Sequence, residues 1–292
     1  MGLNEINEVQ INAPAKINLY LDVLNLRDDG YHEVEMVLQS VNLCDVVTIK
    51  KTDDCKIRLT CTCKVTNQTQ DNAAYIAAKK FFLHTNIKNP GISINIKKRI
   101  PQGAGLGGGS TDAAATLIAL DRLFNAGVSK CQLAEIGGEI GADVPFCVYS
   151  GTMLATGTGT TLSPLPSIAK CWIIIVKPSV FVSTKSAYEM FDRCAEKHIK
   201  RGLFDFVHAI KSKNLRDVAL NIYNRFEFVL NLEEVSKIKE MLKKSGALNS
   251  CMTGSGSAVY GIFNDEEKAQ TCKKNLYEVY DQVFLTTPVI LN

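Results

Sequence analysis

The sequence predicts an α+β chain of two lobes, and three observations carry that prediction. Strand-like and helix-like stretches are mixed in both halves without regular βα alternation, which argues against one doubly wound sheet. The length, 292 residues, is that of two domains of about 150 residues each. Ser163-Pro164-Leu165-Pro166-Ser167 has the composition of a boundary, so the expected lobes are 1–163 and 164–292.

In chain order, Val9 to Ala13 reads as a short strand, broken at Ala13-Pro14-Ala15. Lys16 to Leu26 alternates strictly, with Ile17, Leu19, Leu21 and Val23 on one face and Lys16, Asn18, Tyr20 and Asp22 on the other. Arg27-Asp28-Asp29-Gly30 is a turn, followed by Tyr31-His32-Glu33. Glu35 to Leu43, Asp45 to Lys51 and Lys56 to Val65 read as three further strands. Asp71-Asn72 opens an amphipathic helix through His84. Gly91 to Ile100 alternates Ile92, Ile94 and Ile96 with Ser93, Asn95 and Lys97, the pattern of a half-buried strand. Ala113 to Phe124 and Lys130 to Ile140 read as helices, and Gly141 to Phe146 as a tight break. Gly151 to Ala155 with Gly157 to Thr161 suggests a strand and turn.

The second half begins with an apolar strand, Cys171 to Val176. Helical patterns follow at Thr184 to His198, Gly202 to Lys211, Leu215 to Val229 and Leu232 to Lys244. Ala247 to Met252 and Ser257 to Phe263 read as strands joined by Thr253-Gly254-Ser255-Gly256. A helix from Asp265 to Tyr280 and a strand from Gln282 to Pro288 close the chain.

Composition narrows the class. With 46% hydrophobic and 22% charged residues the chain is ordinary globular protein. A net charge of +3 is too small to argue for nucleic acid. No apolar run reaches the ~18 residues of a membrane span, and Met1 to Gln10 lacks a signal pattern. The ten cysteines are scattered without Cys-x-x-Cys, and no histidine lies close to Cys61 and Cys63. Reduced thiols in a cytoplasmic protein are the simple account. Neither nucleic acid nor a membrane is therefore an expected partner, and the oligomeric state stays open between a monomer and a weak homodimer.

Between the strand ending at Ile100 and the helix from Ala113 lie five glycines in seven residues, Gly103 to Gly109. Glycine costs conformational entropy, so five together need a reason. Bare backbone N–H groups can surround an anion, and a helix N-terminus adds partial positive charge. A phosphate is the obvious guest. No lysine stands where a P-loop needs one. Gly103-x-Gly105-x-x-Gly108 fits the dinucleotide pattern, but Asp121, the nearest acid at the right distance, falls inside a helix. A flexible linker would seldom run into an Ala-rich helix with Ser110, Thr111 and Asp112 as capping residues at its start.

A phosphate loop allows phosphoryl transfer, which needs charge stabilisation and a way to activate an acceptor hydroxyl. Asp143, at the break before Pro145, is either the base or a plain N-cap. Lys16 is either the cation or an exposed lysine, and Asn18 on its face either orients a substrate hydroxyl or is a routine amide. Lys97-Lys98-Arg99 is either a solvated strand end or a positive rim near a nucleotide. Tyr31-His32 can stack on a flat ring and hydrogen-bond its edge, or simply cover the surface. Tyr188 fits the same stacking task or the core. Thr253 to Ser257 is a second glycine loop or an ordinary hairpin.

Taken together, Ala13 to Leu19, Pro101 to Asp112 and Met252 to Ala258 resemble the three motifs of the GHMP kinase superfamily, in order and over nearly the whole chain. That resemblance implies an N-terminal lobe like domain 2 of ribosomal protein S5, a ferredoxin-like C-terminal lobe, and an active site in the cleft between them. Asp28-Asp29-Gly30-Tyr31-His32, Gly141-Ala142-Asp143-Val144-Pro145 and the Gly-Gly-Gly-Ser-Thr-Asp form of the loop resemble one branch. Its members phosphorylate the 2-hydroxyl of a cytidine diphosphate-linked methylerythritol, for non-mevalonate isoprenoid synthesis.

The resemblance also implies roles. Pro101, Gln102, Gly103, Ala104, Gly105, Leu106, Gly107, Gly108, Gly109, Ser110 and Thr111 would hold ATP with Mg²⁺, whose protein ligands it leaves unassigned. Asp143 would take the hydroxyl proton, and Lys16 would polarise Asp143 and the transferring phosphoryl group. Asn18 would bind the sugar-alcohol end. Tyr31 and Tyr188 would sandwich the cytosine, His32 would read its edge, and Thr184 would lie near the cytidine. Gly254, Ser255 and Gly256 would close on the diphosphate. Thr111 stands where a serine is common, with the hydroxyl kept. A homoserine or mevalonate kinase is one alternative, disfavoured because neither substrate carries a base to stack. A non-catalytic nucleotide binder is another, disfavoured because it needs no base such as Asp143.

Overall fold

The alternation from Lys16 onward forms a strand, but a longer one than expected: β1 runs from Glu8 to Leu26, straight through Pro14. β2 likewise runs from His32 to Lys51 where two strands were expected. The computed structural model describes residues 6–63, 66, 68–88, 90–194 and 202–291. The chain divides into two compact units, Met1–Ala15 with Cys44–Ile100 and Gly107–Tyr149, and Lys16–Leu43 with Pro101–Leu106 and Ser150–Asn292. Both expected breaks coincide with passages between units, at Ala15 and Leu43. Proline interrupts a sheet only where its missing N–H would serve the ladder, so Pro14 can sit inside a strand.

In the first unit the second half of β2 pairs antiparallel with β4 (Ile92–Lys97), Val46 opposite Lys97. β3 (Ile57–Cys61) adds in parallel to β4, Ile57 opposite Ile92. β3 is shorter than the expected strand, whose residues Lys64 and Val65 lie outside the described residues. Helix α1 (Ala73–Thr85) starts at Asn72, whose side chain accepts from the Ala74 N–H. It packs on α2 (Gly108–Phe124), which also packs on α3 (Lys130–Gly138) and α4 (Val144–Tyr149). The small side chains Ala113, Ala114, Ala115 and Ala119 are buried, which lets neighbouring helices approach α2 closely. A capping box of Ser129 and Gln132 opens α3.

The second unit begins its sheets with β5 (Thr152–Thr156), which pairs antiparallel with the first half of β2 and hairpins with β6 (Thr161–Pro164). After β7 (Trp172–Val176) come α5 (Thr184–Arg193), α6 (Leu203–Lys211) and α7 (Leu215–Asn221). Then follow β8 (Tyr223–Asn224), α8 (Arg225–Leu230) and α9 (Glu233–Lys244). β9 (Asn249–Met252), β10 (Val259–Phe263), α10 (Glu266–Tyr277) and β11 (Val283–Thr286) complete it. An antiparallel sheet has the order β11-β7-β10-β9. Its core includes Ile174, Val176, Phe191, Phe226, Ile238 and Val259.

Two helix expectations change here. The stretch Leu215 to Val229 is two helices separated by β8, which lies parallel to β1 with Tyr223 opposite Tyr20. Asn224 makes the break: its side chain accepts from Phe226 N–H to start α8, and its Nδ2 donates to the carbonyls of Met252 and Gly254, both at 2.8 Å. The expected continuation of α5 to His198 falls outside the described residues. All ten cysteines are free thiols. Among the described residues no helix is long and apolar enough to cross a membrane.

Candidate active site

In the first unit, α2 starts at Gly108, earlier than the expected Ala113, and Ser110, Thr111 and Asp112 are inside the helix rather than capping it. The N-cap is Gly107, at φ 69° in the left-handed region, and no side chain caps the first turn. Glycine accepts that φ without the Cβ clash another residue would meet. The first N–H groups of the helix thus have no cap from the Gly107 position, an arrangement that can receive an anion.

Of the basic triplet, Lys97 and Arg99 are exposed, and Lys98 alone turns inward. The Lys98 side chain is buried, and its Nζ donates to Asp112 Oδ2 at 2.7 Å and to Asp45 Oδ2. Asp45 Oδ1 also accepts from Ile100 N at 2.9 Å. A Cβ on Gly108 would meet Lys98 Nζ at 3.3 Å, so the ammonium lies against the first turn of α2. Burial opposes the Lys98 charge, but Asp112 and Asp45 outweigh it and raise its pKa. Burial pushes Asp112 up to about 7, against the pull of Lys98 and with the repulsion of Asp45. Asp112 Oδ1 is buried without a hydrogen-bond partner.

Asp143 also belongs to the first unit. It is half-buried and stands immediately before α4, where its carbonyl accepts from Cys147 N at 3.1 Å. Its backbone thus starts the helix, the geometry of the N-cap reading, and its carboxylate sits at the helix's positive end.

In the second unit, the polar face of β1 is not exposed. Lys16 is 5% and Asn18 0% exposed. Lys16 Nζ donates to Asn18 Oδ1 at 2.7 Å, and Gly254 N donates to the same oxygen at 3.1 Å. Thr253 Oγ1 accepts from Asn18 N at 3.0 Å, and Tyr260 OH donates to the Asn18 carbonyl at 3.0 Å. The loop Thr253–Gly256 covers this face, which alternation alone does not reveal. The two glycine loops also meet: a Cβ on Gly105, at φ +73°, would stand 2.2 Å from the Thr253 carbonyl oxygen. Leu106 O accepts from Lys16 N at 3.0 Å. Within this unit Lys16, Asn18, Pro101–Leu106 and Thr253–Gly254 therefore form one hydrogen-bonded group.

The aromatic residues gather around His32. Tyr188 stacks on the imidazole with centroids 5.1 Å apart and planes 24° from parallel. Phe226 meets Tyr188 edge-on at 5.0 Å. Tyr31, in contrast, is 67% exposed. Thr184 Oγ1 lies 3.0 Å from Ser255 Oγ, joining the start of α5 to the second glycine loop.

Sequence reasoning did not find Asp192, whose Oδ1 lies 2.9 Å from His32 Nε2. The available signal was its place four residues after Tyr188 on one helix. It also did not find Phe181, an exposed ring that a Cβ on Gly103 would approach to 2.7 Å, or Asn224, whose amide reads in sequence as part of a helix.

Residues 72–151 match the family model described as the GHMP kinases N terminal domain, and residues 206–282 match that of the GHMP kinases C terminal. A 4-diphosphocytidyl-2-C-methyl-D-erythritol kinase of Caldicellulosiruptor saccharolyticus is 41% identical over 280 residues, 95% of this chain and 96% of that one. A crystal structure of 4-(cytidine 5'-diphospho)-2C-methyl-D-erythritol kinase matches with a TM-score of 0.83 at 27% identity, covering 96% of this chain and 99% of that one. A homoserine kinase from Cytophaga hutchinsonii matches with a TM-score of 0.77 at 18% identity, covering 99% of this chain and 97% of that one, a likeness of fold alone.

The Asp112 cluster makes stability depend on pH. An ordinary aspartate titrates at 3.8, and this one at about 7. Between those values the folded chain holds a proton that the unfolded chain has lost, so the Asp112 contribution to stability falls as pH rises through the window and levels off above it. Asp112→Asn cannot ionise and lacks that slope. Urea midpoints measured at about pH 5 and about pH 8 should therefore shift in favour of Asp112→Asn relative to wild type at the higher pH. A constant difference between the two proteins would contradict the raised pKa.

Proposed function

The chain belongs to the GHMP kinase family, and from that premise we propose that it transfers the γ-phosphoryl group of ATP to the 2-hydroxyl of 4-diphosphocytidyl-2-C-methyl-D-erythritol. The products are the 2-phosphate and ADP, and the reaction serves non-mevalonate isoprenoid synthesis. The observation that carries this reading is the likeness to the Caldicellulosiruptor kinase over nearly all of both chains. Fold alone would not choose the substrate, since a homoserine kinase shares it. The aromatic group supports the choice: exposed Tyr31 and the Tyr188–His32 stack offer flat surface and a ring nitrogen to a base, which homoserine and mevalonate lack.

Residues 101–111 hold the ATP phosphates with Mg²⁺. The uncapped start of α2 fits that task, because its N–H groups can turn to phosphate oxygens. The stretch contains no carboxylate, so the ion would be held chiefly by the phosphates themselves, where it offsets their charge. Asp143 accepts the proton of the 2-hydroxyl as its oxygen forms the new bond to phosphorus and the bridge to ADP breaks. Lys16 supplies positive charge to that carboxylate and to the transferring group. Asn18 serves the sugar-alcohol end through Lys16, whose ammonium its amide oxygen holds. Tyr31 and Tyr188 bind the cytosine, with His32 at its edge and Thr184 close by. Gly254, Ser255 and Gly256 close on the diphosphate. The two matched stretches lie on either side of the expected boundary near Ser163, whereas the compact units are interleaved and last change at Tyr149, so Ser163 lies within the second unit.

Incubation with Mg-ATP and the cytidine substrate should add one phosphate to the substrate by mass spectrometry. An unchanged substrate mass would overturn the assignment. Asp143→Asn should lower kcat by ~10²–10⁴-fold with binding of both substrates nearly intact, the usual span for a general base. Near-normal turnover would remove Asp143 from the chemistry. Tyr31→Ala should raise KM for the cytidine substrate with kcat little changed, because stacking is made equally in ground and transition states. An unchanged KM would argue against stacking there.

A further inference from the structure

His32 is held on three sides by one helix. α5 carries Tyr188 and Asp192 one turn apart, so both side chains reach the same imidazole. Tyr188 covers a face, and Phe191 meets the ring edge-on at 5.5 Å and 86°. Asp192 Oδ1 lies 2.9 Å from Nε2. An ionised carboxylate oxygen can only accept, so Nε2 carries the hydrogen. In the neutral ring the other nitrogen, Nδ1, then keeps its lone pair. Among the described residues none forms a hydrogen bond to Nδ1.

Cytosine and uracil differ at one exocyclic position. Cytosine carries an amine there, a donor, and uracil a carbonyl oxygen, an acceptor. A nitrogen lone pair accepts from the first and is repelled by the second. We propose that Asp192 sets base specificity: by keeping the hydrogen on Nε2 it makes His32 Nδ1 an acceptor that selects an amino-pyrimidine over a keto-pyrimidine. Asp192 is a positioning residue, since it touches His32 and not the base. Its side chain is 45% exposed, so solvent weakens any net ion-pair contribution, and the fixed tautomer and ring orientation are what it supplies. The inference rests on the reading of the substrate as a cytidine derivative.

The test compares kcat/KM for the cytidine diphosphate and uridine diphosphate forms of methylerythritol in wild type, Asp192→Ala and Asp192→Asn. The wild type should prefer the cytidine form. Asp192→Ala should lower that preference about tenfold or more, chiefly through KM, because a site that hydrogen-bonds a substrate group discriminates against analogues lacking it. Asp192→Asn keeps an oxygen acceptor for Nε2–H and should retain most of the preference. Two results would overturn the assignment while leaving the substrate reading in place: an Asp192→Ala enzyme that discriminates as well as wild type, or one that loses rate equally with both forms. A wild type that fails to phosphorylate the cytidine form would remove the substrate reading and the role of Asp192 with it.

Discussion

The amide oxygen of Asn18 sits between an ammonium and a glycine loop. It accepts from Lys16 Nζ at 2.7 Å and from Gly254 N at 3.1 Å, in a residue with no exposed surface. A buried ammonium is tolerated only with hydrogen-bond acceptors around it, so the position of Lys16 depends on that oxygen. The oxygen depends in turn on backbone: Thr253 and Tyr260 hold the main chain of Asn18 from either side. The loop can come this near only because Gly105 has no Cβ to strike the Thr253 carbonyl. Strand, cation and both glycine loops thus constrain one another within the second unit. Asn224 fixes the far side of the same loop through the carbonyls of Met252 and Gly254.

Lys98 does not lend a free charge to the glycine loop that follows it. Lys98 is buried against two carboxylates, and its charge is consumed there. What the loop retains is the uncapped end of α2, entered through Gly107. Asp112 reads in sequence as a capping residue, but it lies inside the helix and holds Lys98 beneath Gly108. A neutralised lysine under the first turn secures the helix start without adding a net charge of its own. In the proposed reaction the cation for transfer is then Lys16, on β1.

Much of this was legible in the sequence, and the rest was hidden for identifiable reasons. The glycine loop, the three ordered motifs and the Tyr31-His32 pair are local patterns, and local patterns survive in one dimension. Pro14 and Cys44 marked real discontinuities, but between compact units rather than between strands. Period-two alternation placed Lys16 and Asn18 on one face and left open whether that face is exposed. It cannot register a loop more than 230 residues later that covers them, as the pairing of Asn18 with Gly254 does. The partners of Lys98, at Asp45 and Asp112, and of His32, at Asp192, are likewise contacts made by folding. Asn224 looked like a helix residue because it falls within the helical pattern from Leu215 to Val229, and its tertiary bonds override that local pattern.

If Asn18 acts through Lys16, the two side chains are coupled, and a double-mutant cycle measures that coupling. Lys16→Met and Asn18→Leu, alone and together, would be compared by kcat/KM in proteins shown to be folded by denaturation. Residues that work as one unit give strongly non-additive losses. Coupled residues should give a double variant within about threefold of the weaker single variant. A double variant whose loss equals the product of the two single losses would contradict the coupling, and would assign Asn18 a task independent of the lysine it holds.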